Sequence, residues 1–324
     1  MATVDLCTSS TRPSTPSTGQ VALETDTKKL IIYDGSNWQT YASSGTLYEL
    51  DASNTLSARP VVHFDAAWIN GKDGTGNPAS GTFSGTWVDR NKGMKIEAYS
   101  STVDQATYYT SGENGVPYFY LSADGGFNGP KLYFETPFLL QEDFVVIMVG
   151  KRTNTAGKRL VALTCFSRDF ERSDLSAVIA SNSNIQYFGE GGEYPLYTEA
   201  TAKMGAFRNQ STTLGYGGTE TLAKDDATAV RCLMWRRKDF GSGARRVRGY
   251  VDGDNETLDI TTDSEGTFKA AGIGLPQDAD LDMDIYEIIV FDQDLSTADL
   301  NSWNAYVDNK YNTGSGGMEA QTGF

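Results

Sequence analysis

Ile285-Tyr-Glu-Ile-Ile-Val-Phe291 and Phe144-Val-Val-Ile-Met-Val-Gly150 are the stretches on which the fold turns. Both are apolar at successive positions, the pattern of a strand covered on both faces, as at the centre of a sandwich. Working outward from them, Arg59 to about Phe291 reads as many short strands separated by Gly, Asn, Asp and Ser turns. Val61–Asp65, Thr86–Asp89, Tyr118–Leu121, Lys131–Phe134, Leu160–Phe166, Ala177–Ala180, Ile185–Phe188, Met204–Arg208, Thr212–Tyr216, Val230–Arg236, Arg245–Val251 and Thr267–Ile273 are such runs. A spacing of roughly 8–15 residues predicts an all-β sandwich and not alternating βαβ units. One helix is expected, over 296–311. Ser296 caps it with Asp299 three residues on, and Leu300, Trp303 and Val307 form a stripe that would lie on a sheet.

The N-terminal part has a different character. Residues 1–19 are rich in Ser, Thr and Pro and read as an extended arm. Residues 20–42 read as a β-ribbon: Gln20–Thr25, Lys29–Tyr33 and Trp38–Tyr41, with the turn signal Asp34-Gly35 between the last two. An isolated ribbon is marginal in water, so it is expected to pack on something else. Val21, Leu23, Leu30, Ile32, Tyr33, Trp38 and Tyr41 are its attachment residues. Residues 43–58 read as a linker, 59–312 as the sandwich with its closing helix, and 313–324 as a flexible tail.

Composition narrows the function. The 324 residues carry 27 basic and 42 acidic side chains, a net charge of −15, which disfavours nucleic acid. The longest apolar run, Phe144 to Val149, is far below the ~20 residues of a membrane-spanning helix, so no membrane insertion is expected. Three cysteines, Cys7, Cys165 and Cys232, are too scattered for a disulfide framework. His63 is the one histidine, which removes multi-histidine metal sites.

Three segments carry a resemblance. Arg59-Pro-Val-Val-His-Phe-Asp65, followed by Gly85-Thr-Trp87-Val-Asp89-Arg-Asn-Lys-Gly93, resembles the opening of a concanavalin A-like, laminin-G-like jelly roll. Ile285 to Ser296, running into the helix, is similar to that family's last strand and closing helix. Pro16 to Tyr41 resembles a ribbon module of tailed-phage virion proteins. Together these imply a jelly-roll β-sandwich behind an N-terminal arm and ribbon. They imply a structural virion protein of a tailed bacteriophage, a decoration or fibre located on the virion and not an enzyme. Its implied partners are capsid, tail or fibre proteins and further copies of itself in a trimer. The alternative is a receptor-binding adhesin for a host surface glycan.

Four chemical features stand beside that resemblance. Asp282-Met-Asp284-Ile-Tyr-Glu287 resembles the catalytic strand of laminarinase-type glycoside hydrolases, with Asp282 and Glu287 as the carboxylate pair, a reading set below that of a solvent-side acidic strand start followed by a core strand. Alternation puts Asp282 and Asp284 on one face and Glu287 on the other unless a bulge intervenes. Val251 to Tyr311 holds fifteen acidic residues against Lys269 and Lys310. Within it Asp252, Asp254, Asp280, Asp282 and Asp284 are candidate calcium ligands, weighed against a plain solvated acidic surface. Arg231 to Arg248 carries seven Lys or Arg and one Asp, either a patch for an acidic neighbour or the outward faces of a hairpin around Gly241-Ser-Gly243. Tyr187, Tyr194 and Tyr197, set among glycines, are candidate sugar-stacking residues.

Overall fold

The computed structural model describes residues 5–26, 29–43, 47–83, 85–98, 106–122, 132–140, 142–152, 160–166, 185–191, 203–208, 212–216, 230–252, 254–261, 268–273 and 282–311. The chain forms two compact units, Met1–Ser57 and Ala58–Phe324.

The first unit contains β1 (Asp5–Cys7), β2 (Val21–Glu24), β3 (Lys29–Tyr33), β4 (Trp38–Ser43), β5 (Tyr48–Glu49) and β6 (Thr55–Leu56). The first four make one sheet in the order β1-β2-β3-β4. The expected arm is therefore part of a fold: β1 pairs parallel with β2, Leu6 opposite Leu23. Beyond it Ser9 donates its N–H and hydroxyl to Asp26, and Arg12 pairs with the buried Glu24. The expected linker contains a short hairpin, Tyr48 opposite Leu56. One face of the sheet buries Cys7, Ala22 and Ile31, with Trp38 packed against them.

The second unit contains β7 (Val62–Asp65), β8 (Gly81–Thr82), β9 (Thr86–Val88), β10 (Lys95–Ala98), β11 (Thr107–Tyr109), β12 (Tyr118–Ser122), β13 (Leu132–Leu140) and β14 (Phe144–Arg152). It continues with β15 (Leu160–Phe166), β16 (Ile185–Gly191), β17 (Lys203–Arg208), β18 (Thr212–Tyr216), β19 (Arg231–Asp239), β20 (Arg245–Val251), β21 (Asp254–Thr261), β22 (Phe268–Ile273) and β23 (Asp282–Phe291), and ends with helix α1 (Thr297–Tyr311). Among the described residues these strands form two sheets. One runs β18-β17-β16-β15-β22-β13-β10-β9. The other runs β21-β20-β19-β14-β23-β12-β11-β8, with β7 beside β23. The fold is a lectin-like β-sandwich with one C-terminal helix. Phe64, Trp87, Phe119 and Phe134 fill the space between the layers, with Trp87 and Phe119 ring centroids 4.6 Å apart. Ala177–Ala180 lies outside the described residues.

β23 organises the second sheet. β14 runs along one edge of it. The other edge is shared end to end, by β12 along Asp282–Ile285 and by β7 along Glu287–Val290. At the junction the register slips: Val149 faces Glu287, yet Gly150 faces Ile285. Tyr286 is thus the extra residue of a β-bulge, and the slip reverses which face each side chain occupies. Met283 and Ile285 point into the sandwich before it, Ile288 and Val290 after it. Asp284 and Glu287 therefore share the outer face, the outcome that simple alternation forbids.

That outer face is where α1 lies. The double-sided apolarity of β14 and β23 follows: one face meets the opposite sheet, and the other lies beneath a helix. Trp303 donates its indole N–H to Cys232 Sγ at 3.3 Å, tying α1 to β19. The helix start is as the sequence predicts: Asp299 N–H donates to Ser296 Oγ at 3.1 Å, and the Ser296 hydroxyl donates to Asp299 Oδ2 at 2.7 Å. Ser296→Ala removes both bonds. It should cost about 1 kcal/mol of stability, read as a lowered midpoint in urea unfolding.

Candidate functional site

β7, β23 and α1 bring six chargeable or hydroxyl side chains to one buried point. Alternation along β7 turns Val62 and Phe64 inward and His63 and Asp65 outward, towards Glu287 on the neighbouring strand. On α1, Tyr306 and Lys310 are one turn apart and face the same way. Lys310 Nζ donates to Asp65 Oδ2 at 2.7 Å and to Glu287 Oε2 at 2.9 Å. The hydroxyls of Tyr306 and Tyr311 donate to Glu287 at 2.8 and 2.6 Å. His63 Nε2 bonds to Glu287 Oε1. Arg90 adds an ion pair to Asp65 at 3.3 Å and lies over the Trp68 ring, 3.6 Å from its centroid.

The electrostatics close on themselves. Two carboxylates, Asp65 and Glu287, meet two cations, Lys310 and Arg90. Burial by itself would raise the Glu287 carboxyl, but Lys310 and His63 hold it well below the usual range. Burial would lower Lys310, but Asp65 and Glu287 raise it. For His63 burial wins over the pull of Glu287, so its pKa falls below the ordinary 6.5 and the ring is neutral. His63, Asp65 and Glu287 offer ligand atoms within 4.8 Å of one another, a spacing a metal ion could use. Lys310 stands at that point as an internal ammonium. The cluster joins the last helix to the sandwich through charge-assisted hydrogen bonds.

The sequence-predicted residues are distributed as follows. Glu287 is fully buried and occupied by His63, Lys310, Tyr306 and Tyr311, so the proposed pairing with Asp282 as hydrolytic carboxylates is corrected. Asp282 starts β23 opposite Ser122. Asp284 is buried and pairs with Lys151 at 3.5 Å. Asp252 lies in the two-residue turn between β20 and β21, where Val251 faces Asp254. Its φ of +47° suits the Asp-Gly turn of a tight hairpin. Its carboxylate accepts the Cys232 N–H at 2.8 Å and pairs with Arg231 at 3.1 Å. Asp252 in its turn and Asp284 on β23 are thus each engaged by a cation of this chain. Tyr187 lies in β16 opposite Thr164 and Phe207. Asp280, Tyr194 and Tyr197 lie outside the described residues.

The basic segment is a hairpin, and several of its cations pair within this chain. Arg236 and Lys238 both hold Asp294, and Arg245 holds Glu142 and Asp143. Asp239 accepts the N–H groups of Gly241, Ser242 and Gly243 in the turn. In the first unit the expected attachment residues divide between two faces. Tyr33 and Trp38, with ring centroids 5.5 Å apart, fall on the face of Ala22 and Ile31. Val21, Leu23, Leu30 and Ile32 fall on the opposite face, half-buried, beside Leu6. Tyr41 belongs to β4.

No family model matches the sequence, and no curated protein matches it. Solved structures similar in fold include a Trypanosoma rangeli sialidase in complex with 2,3-difluorosialic acid, at 10% identity and TM-score 0.35. That match covers 77% of this chain and 33% of the sialidase, so this chain spans about a third of the sialidase's length. They also include the Emp47p carbohydrate recognition domain, at 10% identity and TM-score 0.36, covering 76% of this chain and all of that one. The metal-free Emp46p carbohydrate recognition domain matches at 10% identity and TM-score 0.34, over 62% of this chain and 88% of that one. The likeness is one of fold alone. It corrects one expectation: enzymes stand among these neighbours, so the sequence-based exclusion of catalysis is withdrawn.

Two outcomes follow from the buried cluster. Lys310→Met strands two buried carboxylates and should cost about 3–5 kcal/mol. Adding Glu287→Gln should restore part of that in the same denaturant titration. Stability should also fall in acid. The unfolded chain takes up a proton on His63 near pH 6.5 that the folded chain refuses, and Glu287 loses its ion pairs at still lower pH. Lys310, raised above its ordinary 10.5, contributes fully until strongly alkaline pH. The thermal midpoint should therefore be level between about pH 7 and 8 and drop below 6.5, with His63→Gln flattening the start of that drop; it should fall again above about 9, where the unfolded chain ionises the Cys165 and Cys232 thiols that burial keeps protonated in the fold.

Proposed function

We propose that this chain is a glycan-binding display protein, a receptor-binding adhesin held on a tailed-phage virion by its N-terminal unit. The observation that carries the reading is a row of leucines. Leu6, Leu23 and Leu30 are consecutive across β1, β2 and β3, and Leu6 is 72% exposed. The other face of the same sheet holds its small core of Cys7, Ala22 and Ile31. A unit of this size gains little from its own core, and a row of leucines that runs from the exposed Leu6 to the half-buried Leu23 and Leu30, beside Val21 and Ile32, suits a protein surface or further copies of itself. The ribbon resemblance supports the virion and the trimer. The sandwich is a separate compact unit with its own core, suited to presenting a binding surface, and glycan is the partner class that fits its outer aromatic residues.

The double variant Leu6→Asp, Leu23→Asp tests the attachment half. Light scattering on the full chain should give an oligomer for the wild type and a monomer for the variant, with unchanged circular dichroism. Identical masses for both would sink the proposed docking face. A glycan array tests the other half, and silence of the wild type across it would remove the adhesin reading.

A further inference from the structure

The margin of the nine-stranded sheet that α1 leaves uncovered carries three tyrosines. Tyr108, Phe119 and Leu121 point into the core, so Tyr109, Tyr118 and Tyr120 point outward from β11 and β12. Tyr109 lies opposite Tyr118, with ring centroids 4.9 Å apart and planes within 14° of parallel. Tyr118 is backed in turn by the buried Tyr286, with ring centroids 5.4 Å apart and planes 30° apart. This stack fixes the orientation of the outermost ring, Tyr109, which is 37% exposed. Gly112 closes against the stack from above: a Cβ there would come within 2.5 Å of Tyr118. In the next row Tyr120 lies opposite Asp284, and Asp284 opposite Lys151, so an ion pair borders the rings.

We infer that Tyr109 and Tyr120, backed by Tyr118 and bordered by Asp284 and Lys151, form a binding platform for a neutral oligosaccharide. The stack holds the outer face of Tyr109 rigid, a surface for the C–H face of a pyranose at little cost in side-chain entropy. The phenol hydroxyls and the partly exposed Lys151 ammonium, held by the buried Asp284, supply hydrogen-bonding groups for sugar hydroxyls around the rim. Tyr118 keeps its proton: burial, then Asp284, pushes it up to about 12. Charge selects the neutral class. Asp284 and Lys151 cancel locally, and the chain's net −15 repels anionic sugars.

The inference rests on the sandwich binding glycan, and one experiment separates the two. The full chain and its Tyr109→Ala, Tyr109→Phe and Tyr120→Ala variants are applied to an array of neutral hexose and N-acetylhexosamine oligosaccharides alongside sialylated and sulfated ones. Thermal melts confirm folding. The platform predicts wild-type binding to neutral sugars, weakened roughly tenfold or more in both alanine variants and largely kept in Tyr109→Phe. Oxidative footprinting of the wild type with the best array sugar should protect Tyr109 and Tyr120, a readout that needs no variant. Wild-type binding that persists in folded alanine variants, without such protection, overturns the platform and leaves the glycan reading. A preference for anionic sugars overturns the platform. So does self-association that Tyr109→Ala abolishes, which would make these rings a protein contact. No binding to any sugar overturns both.

Discussion

A carboxylate buried without water must be given its counter-charges by the protein, and Glu287 is that carboxylate. Its strand is the most heavily engaged in the sandwich, flanked by β14 on one edge and by β12 and β7 on the other. The bulge at Tyr286 turns Glu287 away from the apolar core. What meets it there is α1, whose Tyr306, Lys310 and Tyr311 all reach it. Without Lys310 the site would hold Asp65 and Glu287 against Arg90 alone, and unbalanced charge in low dielectric is costly. Placement of the helix and satisfaction of the charge are therefore one constraint.

That constraint divides the molecule's surfaces. The helix covers the outer face of the second sheet over β7, β23 and β19, leaving its β11–β12 margin for contact with the surroundings. The same cluster shows how a site with the residue types of catalysis, a histidine beside carboxylates, can be wholly taken up by architecture. Both oxygens of Glu287 are already met from within the chain, by His63, Lys310, Tyr306 and Tyr311. The basic hairpin repeats this logic at the surface, where Asp294 answers Arg236 and Lys238.

Much of the fold was legible in local pattern. The limits of Leu160–Phe166, Thr212–Tyr216 and Arg245–Val251 agree between sequence and structure, and Ser296 begins the helix as its side chain predicts. Where the pattern misled, a tertiary partner decided. Asp5–Cys7 has too little apolar character to announce a strand, yet β2 offers it a free edge. Asp254–Thr261 is acidic enough to suggest an ion-binding loop, yet it completes a hairpin with β20. Polar His63 and Asp65 at alternate positions of an apolar strand, and a lone Glu287 in another, were the available signal for the buried cluster.

By itself the sequence determined a β-sandwich closed by one capped helix, because strand length, turn chemistry and helix capping are written within a few residues of one another. Only the tertiary structure decided the role of Glu287. Its face depends on one extra residue in a register shared with two other strands, and its partners lie 224 residues away at His63 and 23 at Lys310. Such a meeting is fixed by how the layers pack, a distance over which no local pattern in the chain carries information.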